Sequence, residues 1–201
     1  MLNPSHLCQY AGILAAACGM RRDRVADQDS GGRANPSSFL TVRKAASLTA
    51  LTRYLRQEDI RLDVAVFSQP ELFDDIGRHM EQEHALPRES VASGLARREQ
   101  LASTGLGQGV AIPHTRVLDL DRIVASYLRL KTPILFNAPD SKPVVDILVL
   151  LVPKQASEEH LRILADVSGM FSDDQFRARL RQCGDSLAVK QLFDAWPLPS
   201  S

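Results

Sequence analysis

The sequence predicts an α/β protein in three layers, a mixed central sheet between two layers of helices, and two observations carry that expectation. Short β-branched or apolar runs alternate with longer stretches whose apolar residues recur at helical spacing. One run, "VVDILVLLVP" from Val144 to Pro153, is nearly all apolar, as expected of a strand covered on both faces, with Asp146 as its polar interruption.

The elements follow in order. Leu48, Leu51 and Leu55 in "SLTALTRYL" recur at helical spacing and mark the start of the domain. "DVAVF", Asp63–Phe67, reads as a short strand. "SQPELFDDIGRHMEQE" then reads as a helix opened by Pro70, with Leu72, Phe73, Ile76 and Met80 on one face. Pro87 opens a second helix that presents Val91 and Leu95 and carries Arg98 near its end, and the glycine-bearing "ASTGLGQG" stops it. "GVAIP", "IVASYLRL" and "VVDILVLLVP" have lengths that suit strands. Two helices beginning at Ser157 and Ser172, each followed by acids, fit capped starts, and "DSLAVKQLFDAW" makes a last short helix.

With 201 residues, 44% of them hydrophobic, the chain can bury one good core. Residues 48–196 are expected to form that domain, with an extension over 1–47 and a short tail over 197–201. "RRDRVADQDSGGRAN", Arg21–Asn35, has almost no large apolar residue and reads as a linker; an upstream translation start would account for the extension. The apolar stretch Tyr10–Met20 is too short to span a bilayer, and its arginines follow rather than precede it, so it fits a small helix or a leader better than a secretory signal. Lysine plus arginine and aspartate plus glutamate balance at 24 each, which argues against nucleic acid or an anionic membrane as partner. Cys8, Cys18 and Cys183 form no C-x-x-C pair, consistent with a reducing, cytoplasmic compartment.

Five histidines are the candidates for chemistry. His6 carries no signal, and His79 and His84, five apart and with no cysteine near, make a poor zinc pair and are expected at the surface. His114 differs. Pro113 fixes φ and removes a backbone donor, while Ile112 is driven toward extended geometry, so the ring is delivered at a strand's end. Upstream, "STGLGQG" offers Ser103 and Thr104 hydroxyls and backbone amides around Gly105, Gly107 and Gly109 that could approach an anion, although it lacks the spacing and lysine of a nucleotide-binding loop. If Ser157 caps its helix, His160 falls in the first turn, where the dipole disfavours an imidazolium; its spacing suits either a functional histidine or a half-buried structural one. Arg98 could reach the same anion or lie exposed on its helix.

"REQLASTGLGQGVAIPHTR", Arg98–Arg116, followed by "KTPILFNAPDSKPVVDILVLLVP" and "EEHLRILADVSGMF", resembles the enzyme IIA family of the phosphotransferase system, fructose and mannitol class, and within it the nitrogen-regulatory branch. The resemblance runs from about Leu48 to Trp196 and implies the type 2 EIIA fold. It implies that His114 accepts a phosphoryl group on its tele nitrogen from a phosphorylated HPr-type carrier, that His160 hydrogen-bonds the phosphoryl oxygens, and that Arg98 is the family's arginine near the loop. Where many members show glycine and lysine after the histidine, this chain has Thr115 and Arg116.

Transfer between histidines needs an unprotonated nitrogen in line with phosphorus and donors around three oxygens. Ser103, Thr104, Gly105, Thr115, His160 and Arg98 are the expected donors, with no metal and no cofactor. Leu106, Val110 and Leu118 are candidates either for an apolar docking patch or for the core. The sequence shows no IIB or membrane IIC segment, and the resemblance to the nitrogen-regulatory branch implies a regulatory module switched by phosphorylation, acting on a downstream protein such as a potassium-transport or sensor-kinase component or on nitrogen metabolism. That is expected over a sugar-specific IIA that serves a separate IIB.

Overall fold

The computed structural model describes residues 50–118, 120–155 and 158–196. The expected extension over 1–47, the cap at Ser157 and the tail over 197–201 lie outside the described residues. Six strands, β1 (Leu55–Val64), β2 (Gly105–Gly107), β3 (Val110–Ala111), β4 (His114–Val117), β5 (Val124–Ile134) and β6 (Val144–Pro153), form one sheet. Five helices accompany them: α1 (Gln69–His84), α2 (Arg88–Leu101), α3 (Glu158–Ser172), α4 (Asp174–Gln182) and α5 (Ser186–Asp194). The sheet order is β1-β5-β6-β3-β2, and β4 also pairs with β6. β1 runs parallel to β5, and β3 and β4 parallel to β6, whereas β5–β6 and β2–β3 are antiparallel. The mixed sheet and its flanking helices are the architecture the sequence predicts.

β6 is the spine because both its faces are apolar. Ile147, Val149 and Leu151 join one core with Leu72, Phe73 and Ile76 of α1 and Val91 and Leu95 of α2. Leu148, Leu150 and Val152 join the other with Ile163 and Val167 of α3, Phe176 of α4 and Phe193 of α5. Alternate residues on a pleated strand face opposite ways, so one run feeds two cores. Asp146 sits in this spine almost fully buried, where it accepts a 2.6 Å hydrogen bond from the Tyr127 hydroxyl. No described helix is long and apolar enough to cross a membrane.

The helix termini are chemically marked. Ser68 caps α1 by accepting from the Glu71 backbone N–H, and the Glu71 carboxylate reaches one residue past the cap to accept from the Phe67 N–H, with Pro70 in the first turn. At α4 the cap is Asp173, which accepts from the Gln175 and Phe176 amides. Ser172, the expected cap, is the last residue of α3, and its hydroxyl turns back to the Ser168 carbonyl.

The first strand corrects the sequence reading most. Of the helix expected from Leu48, the described residues form a 3-10 turn, Ala50–Arg53, followed by strand and not helix, and the strand expected at Asp63–Phe67 instead occupies Leu55–Val64. β1 lies at the sheet's edge and has two register shifts against β5, so it can carry Arg56, Glu58, Arg61 and Asp63 without breaking the sheet. Those charges hide its apolar pattern. The glycine segment is also more regular than expected: Gly105–Gly107 is a strand, and Gly107, Gln108 and Gly109, all at positive φ, form the turn into β3.

A second correction concerns His79 and His84, which are not surface residues. Both side chains are more than nine-tenths buried, and each donates from Nε2 to the same Asp59 oxygen, at 3.1 and 2.7 Å. The Arg56 Nε–H supplies the other carboxylate oxygen at 3.0 Å, and the Asp59 carbonyl accepts from the Ser126 hydroxyl. This cluster ties β1 to the end of α1 and to β5. Burial acts to raise the Asp59 pKa, but the hydrogen bonds from His79, His84 and Arg56 outweigh it and hold the carboxyl down to about 2. Among the described residues no group of three or more His, Cys, Asp or Glu side chains is placed to hold a metal ion.

Removing one partner of a buried charged cluster strands the others, so Asp59→Ala should cost about 3 kcal/mol in urea unfolding. Because the folded pKa lies below the ordinary 3.8, that contribution is full above 3.8 and fades as pH falls toward about 2, and the gap between wild type and variant should close over that interval. Gly105→Ala should lower the denaturation midpoint by about 1–3 kcal/mol equivalent, since its new Cβ would lie 2.9 Å from both Cα and Cβ of Ala138.

Candidate functional site

The site is made where one strand path is broken and kept paired. β3 ends at Ala111, Ile112 and Pro113 interrupt it, and β4 begins at His114; both halves run parallel to β6. Pro113 has no N–H to give the sheet, yet its carbonyl accepts from the Leu150 N–H at 3.1 Å, so the interruption costs little pairing. His114 therefore opens a strand opposite Leu150 instead of closing one, which corrects the expected placement while keeping its cause.

The hydrogen bonds fix the ring's tautomer. Nδ1 lies 2.9 Å from the Ile112 carbonyl oxygen, which can only accept, so Nδ1 carries the proton. Nε2 is then the unprotonated nitrogen, and it accepts from Arg98 Nε–H at 3.1 Å. Arg98 also donates from Nη1 to the Ala102 carbonyl at 2.8 Å, which holds the guanidinium at the end of α2. Burial is the main force lowering the His114 pKa to about 4; the charges of Arg98 and His160 add to it, and the Ile112 carbonyl opposes it. His114 is neutral at physiological pH.

His160 lies in the first turn of α3, and its ring centroid is 5.8 Å from that of His114. Burial, then the nearby Arg116 charge, lowers its pKa as well. Its Nδ1 is buried without a hydrogen-bond partner. A cavity of about 690 Å³ opens here, lined by Gly94, Arg97, Arg98, Gln100 and Leu101 of α2, by His114, Thr115 and Arg116 of β4, and by Val152 and His160. Gly94 lets the helix approach the strand, since a Cβ there would lie 3.0 Å from Thr115 Oγ1.

Of the sequence candidates, His114, His160, Arg98 and Thr115 line one cavity. Ser103, Thr104 and Gly105 do not line it. The Ser103 hydroxyl donates to the Phe136 carbonyl and accepts from the Gly105 N–H, and Thr104 gives both its N–H and hydroxyl to Glu99. These residues brace the end of α2 against the sheet. Val110 is fully buried and belongs to the core, while Leu106 and Leu118 are exposed. Arg97, Gln100, Leu101 and Val152 line the cavity without having been candidates; the Arg97–Arg98 pair was a sequence signal that could have flagged the first.

Residues 53–196 match the family described as phosphoenolpyruvate-dependent sugar phosphotransferase system, EIIA 2. A Pseudomonas aeruginosa protein named nitrogen regulatory protein is 38% identical over 104 residues, covering 52% of this chain and 68% of that one. The Escherichia coli protein of that name is 34% identical over 132 residues, covering 65% and 81% respectively. A fructose-specific EIIA component from Haloferax volcanii is 30% identical over 105 residues, covering 52% and 68%. The crystal structure of nitrogen regulatory protein IIA-Ntr from Neisseria meningitidis superposes at a TM-score of 0.69 with 38% identity, over 72% of this chain and 99% of that one. Escherichia coli mannitol IIA shares the fold at a TM-score of 0.59 and 17% identity, over 69% of this chain and 97% of that one. The chain thus belongs to the EIIA 2 family of the phosphoenolpyruvate-dependent sugar phosphotransferase system, on the side of relatives named for nitrogen regulation.

Proposed function

We propose that this protein is a phosphocarrier that accepts a phosphoryl group on His114 Nε2 from a phosphohistidine carrier protein and controls partner proteins according to its phosphorylation state. The observation that carries the reading is the tautomer lock: with Nδ1–H committed to the Ile112 carbonyl, the ring's one lone pair is on Nε2, where it accepts from Arg98, and the residue lines the cavity. In the step, the P–N bond of the donor histidine breaks, with its electron pair staying on the donor ring, and a P–N bond forms from the Nε2 lone pair. No proton crosses. The His114 ring becomes formally cationic while keeping its Nδ1–H, and the Ile112 oxygen stabilises that charge as it develops.

The remaining side chains position and neutralise. Arg98 caps the nucleophile's lone pair in the resting state, so it must turn off Nε2 before attack; from 3.1 Å away its N–H groups can then bond the arriving oxygens. His160, kept neutral, can donate a ring N–H to the same group. Fixed guanidinium charge in a partly dry cavity supplies the electrostatic part of phosphoryl transfer. The regulatory role rests on likeness to the nitrogen regulatory relatives. Likeness to the fructose-specific component supports a second reading, delivery of the group to a separate IIB protein. Adding a IIB protein to the phosphorylated form and following loss of the group separates the two.

Intact mass spectrometry after incubation with the phosphorylated carrier should show one added phosphoryl group on wild type and none on His114→Ala. Arg98→Gln and His160→Ala should still gain it, about 10²–10³-fold more slowly for the arginine. Since the neutral ring is the nucleophile and its pKa is held to about 4, uptake should not fall as pH drops through the ordinary 6.5. A rate that halves near 6.5 would show an unperturbed acceptor instead. With arginines supplying the cations, uptake should proceed unchanged in excess chelator.

A further inference from the structure

Two groups hold the His114 ring in its attacking form, the Ile112 carbonyl at Nδ1 and the Arg98 guanidinium at Nε2. Both run back to the turn that ends α2. Arg98 is tied to the Ala102 carbonyl in that turn. Ile112 is tied to it as well, because its N–H donates to the Thr104 carbonyl at 2.9 Å. The turn in turn hangs on Glu99, whose carboxylate accepts from the Thr104 N–H at 3.0 and 3.1 Å, one contact to each oxygen, and from the Thr104 hydroxyl at 2.5 Å. Thr104 is 6% exposed, so water would not replace a partner lost there. Neither Glu99 nor Thr104 lines the cavity.

Building on the reading of His114 as acceptor, we propose that Glu99 is a positioning residue for phosphoryl uptake, acting through Thr104 to set the Ile112 carbonyl and the Arg98 guanidinium together. The carboxylate touches neither the ring nor the transferred group. Its loss would free the turn, and with it the Ala102 carbonyl that holds Arg98 and the Thr104 carbonyl that holds Ile112. The imidazole would then populate both tautomers, and the fraction with a proton on Nε2 cannot attack. Reactive geometry is steep in displacement: a misplacement of about 1 Å can cost about 10²-fold in rate. Charge alone predicts the opposite sign. A carboxylate one residue from Arg98 opposes an arriving anion, so on that account removing it would speed uptake.

The test compares full-chain wild type with Glu99→Ala, Thr104→Val and Thr104→Ser. Valine keeps the shape of threonine and the backbone N–H but removes the hydroxyl, whereas serine keeps the hydroxyl. Circular dichroism with thermal melting establishes that each variant folds, and should Glu99→Ala not fold, the threonine pair carries the test. Two quantities are read. One is kcat and KM for uptake from the phosphorylated carrier, followed by intact mass. The other is the His114 ring nitrogen chemical shifts of the unphosphorylated protein, assigned by their absence from His114→Ala, which distinguish Nδ1–H from Nε2–H. Glu99→Ala should lose about 10–10²-fold in kcat with KM close to wild type, and should show Nε2–H at His114. Thr104→Val should lose less, and Thr104→Ser should recover most of that loss. A Glu99→Ala protein as fast as wild type or faster, a loss confined to KM, a loss with the tautomer unmixed, or equal rates for valine and serine would overturn the positioning role. Phosphoryl gain on wild-type His114 upholds the acceptor reading in each of those cases. No gain on wild type removes that reading and this role with it.

Discussion

The site depends on the pairing of two short strands, β3 and β4, with one long one. Because β6 is apolar on both faces and buried between two cores, its backbone groups must find partners in neighbouring strands, and it can hold β3 and β4 in register on either side of Ile112–Pro113. The Leu150 N–H bond to the Pro113 carbonyl carries that register across the break. The break leaves the Ile112 carbonyl unused by β6 and available to the imidazole. Core packing thereby reaches the chemistry in three steps: an apolar spine fixes a strand pair, the pair fixes a carbonyl, and the carbonyl fixes a tautomer.

Helix α2 supplies the other half of the site, and its placement is also a packing result. Val91 and Leu95 seat it on the sheet, Gly94 allows close approach to Thr115, and the turn after it is closed by Glu99 gripping Thr104. Arg97, Arg98 and Leu101 then project into the cavity from one end of a braced helix. The hydroxyls of Ser103 and Thr104 and the Gly105 amide serve this bracing and do not line the cavity. They hold the helix that holds the arginine.

What the sequence showed and hid follows from this division. Strong signals came from residues whose role is local: the apolar run of β6, Pro70 and Pro87 at helix starts, and Pro113 before His114. The first strand was hidden because an edge strand tolerates Arg56, Glu58 and Asp63, and its apolar residues alone mimic a helix start. Ser103 and Thr104 looked like phosphate ligands because hydroxyl-glycine stretches suit anions, and their partners, Glu99 and the Phe136 carbonyl, include one 33 residues away that periodicity does not reveal. His79 and His84 looked exposed because the five-residue spacing was judged along one helix, while the group that unites them, Asp59, comes from a strand.

The two histidine pairs show how one side chain is put to opposite uses. His79 and His84 meet a buried carboxylate, which takes both ring N–H groups and leaves the imidazoles as donors in a structural clamp. His114 and His160 feel guanidinium charges instead, Arg98 at the first ring and Arg116 at the second, and neither shift has a carboxylate among its causes. A carboxylate beside His114 Nε2 would favour imidazolium by holding a proton on the nitrogen that, on the proposed reading, must attack, and would repel an anionic phosphoryl group. Arginine beside it disfavours protonation and would attract the incoming charge, although its own hydrogen bond to Nε2 must break before attack. On the proposed reading, the burial that neutralises His114 would by itself leave a phosphorylated site poorly solvated, and the arginines that line the cavity would offset that penalty. On that reading the site is neutral before transfer and compensated after it, and so meets the physical requirement for a protein that others would read by its phosphorylation.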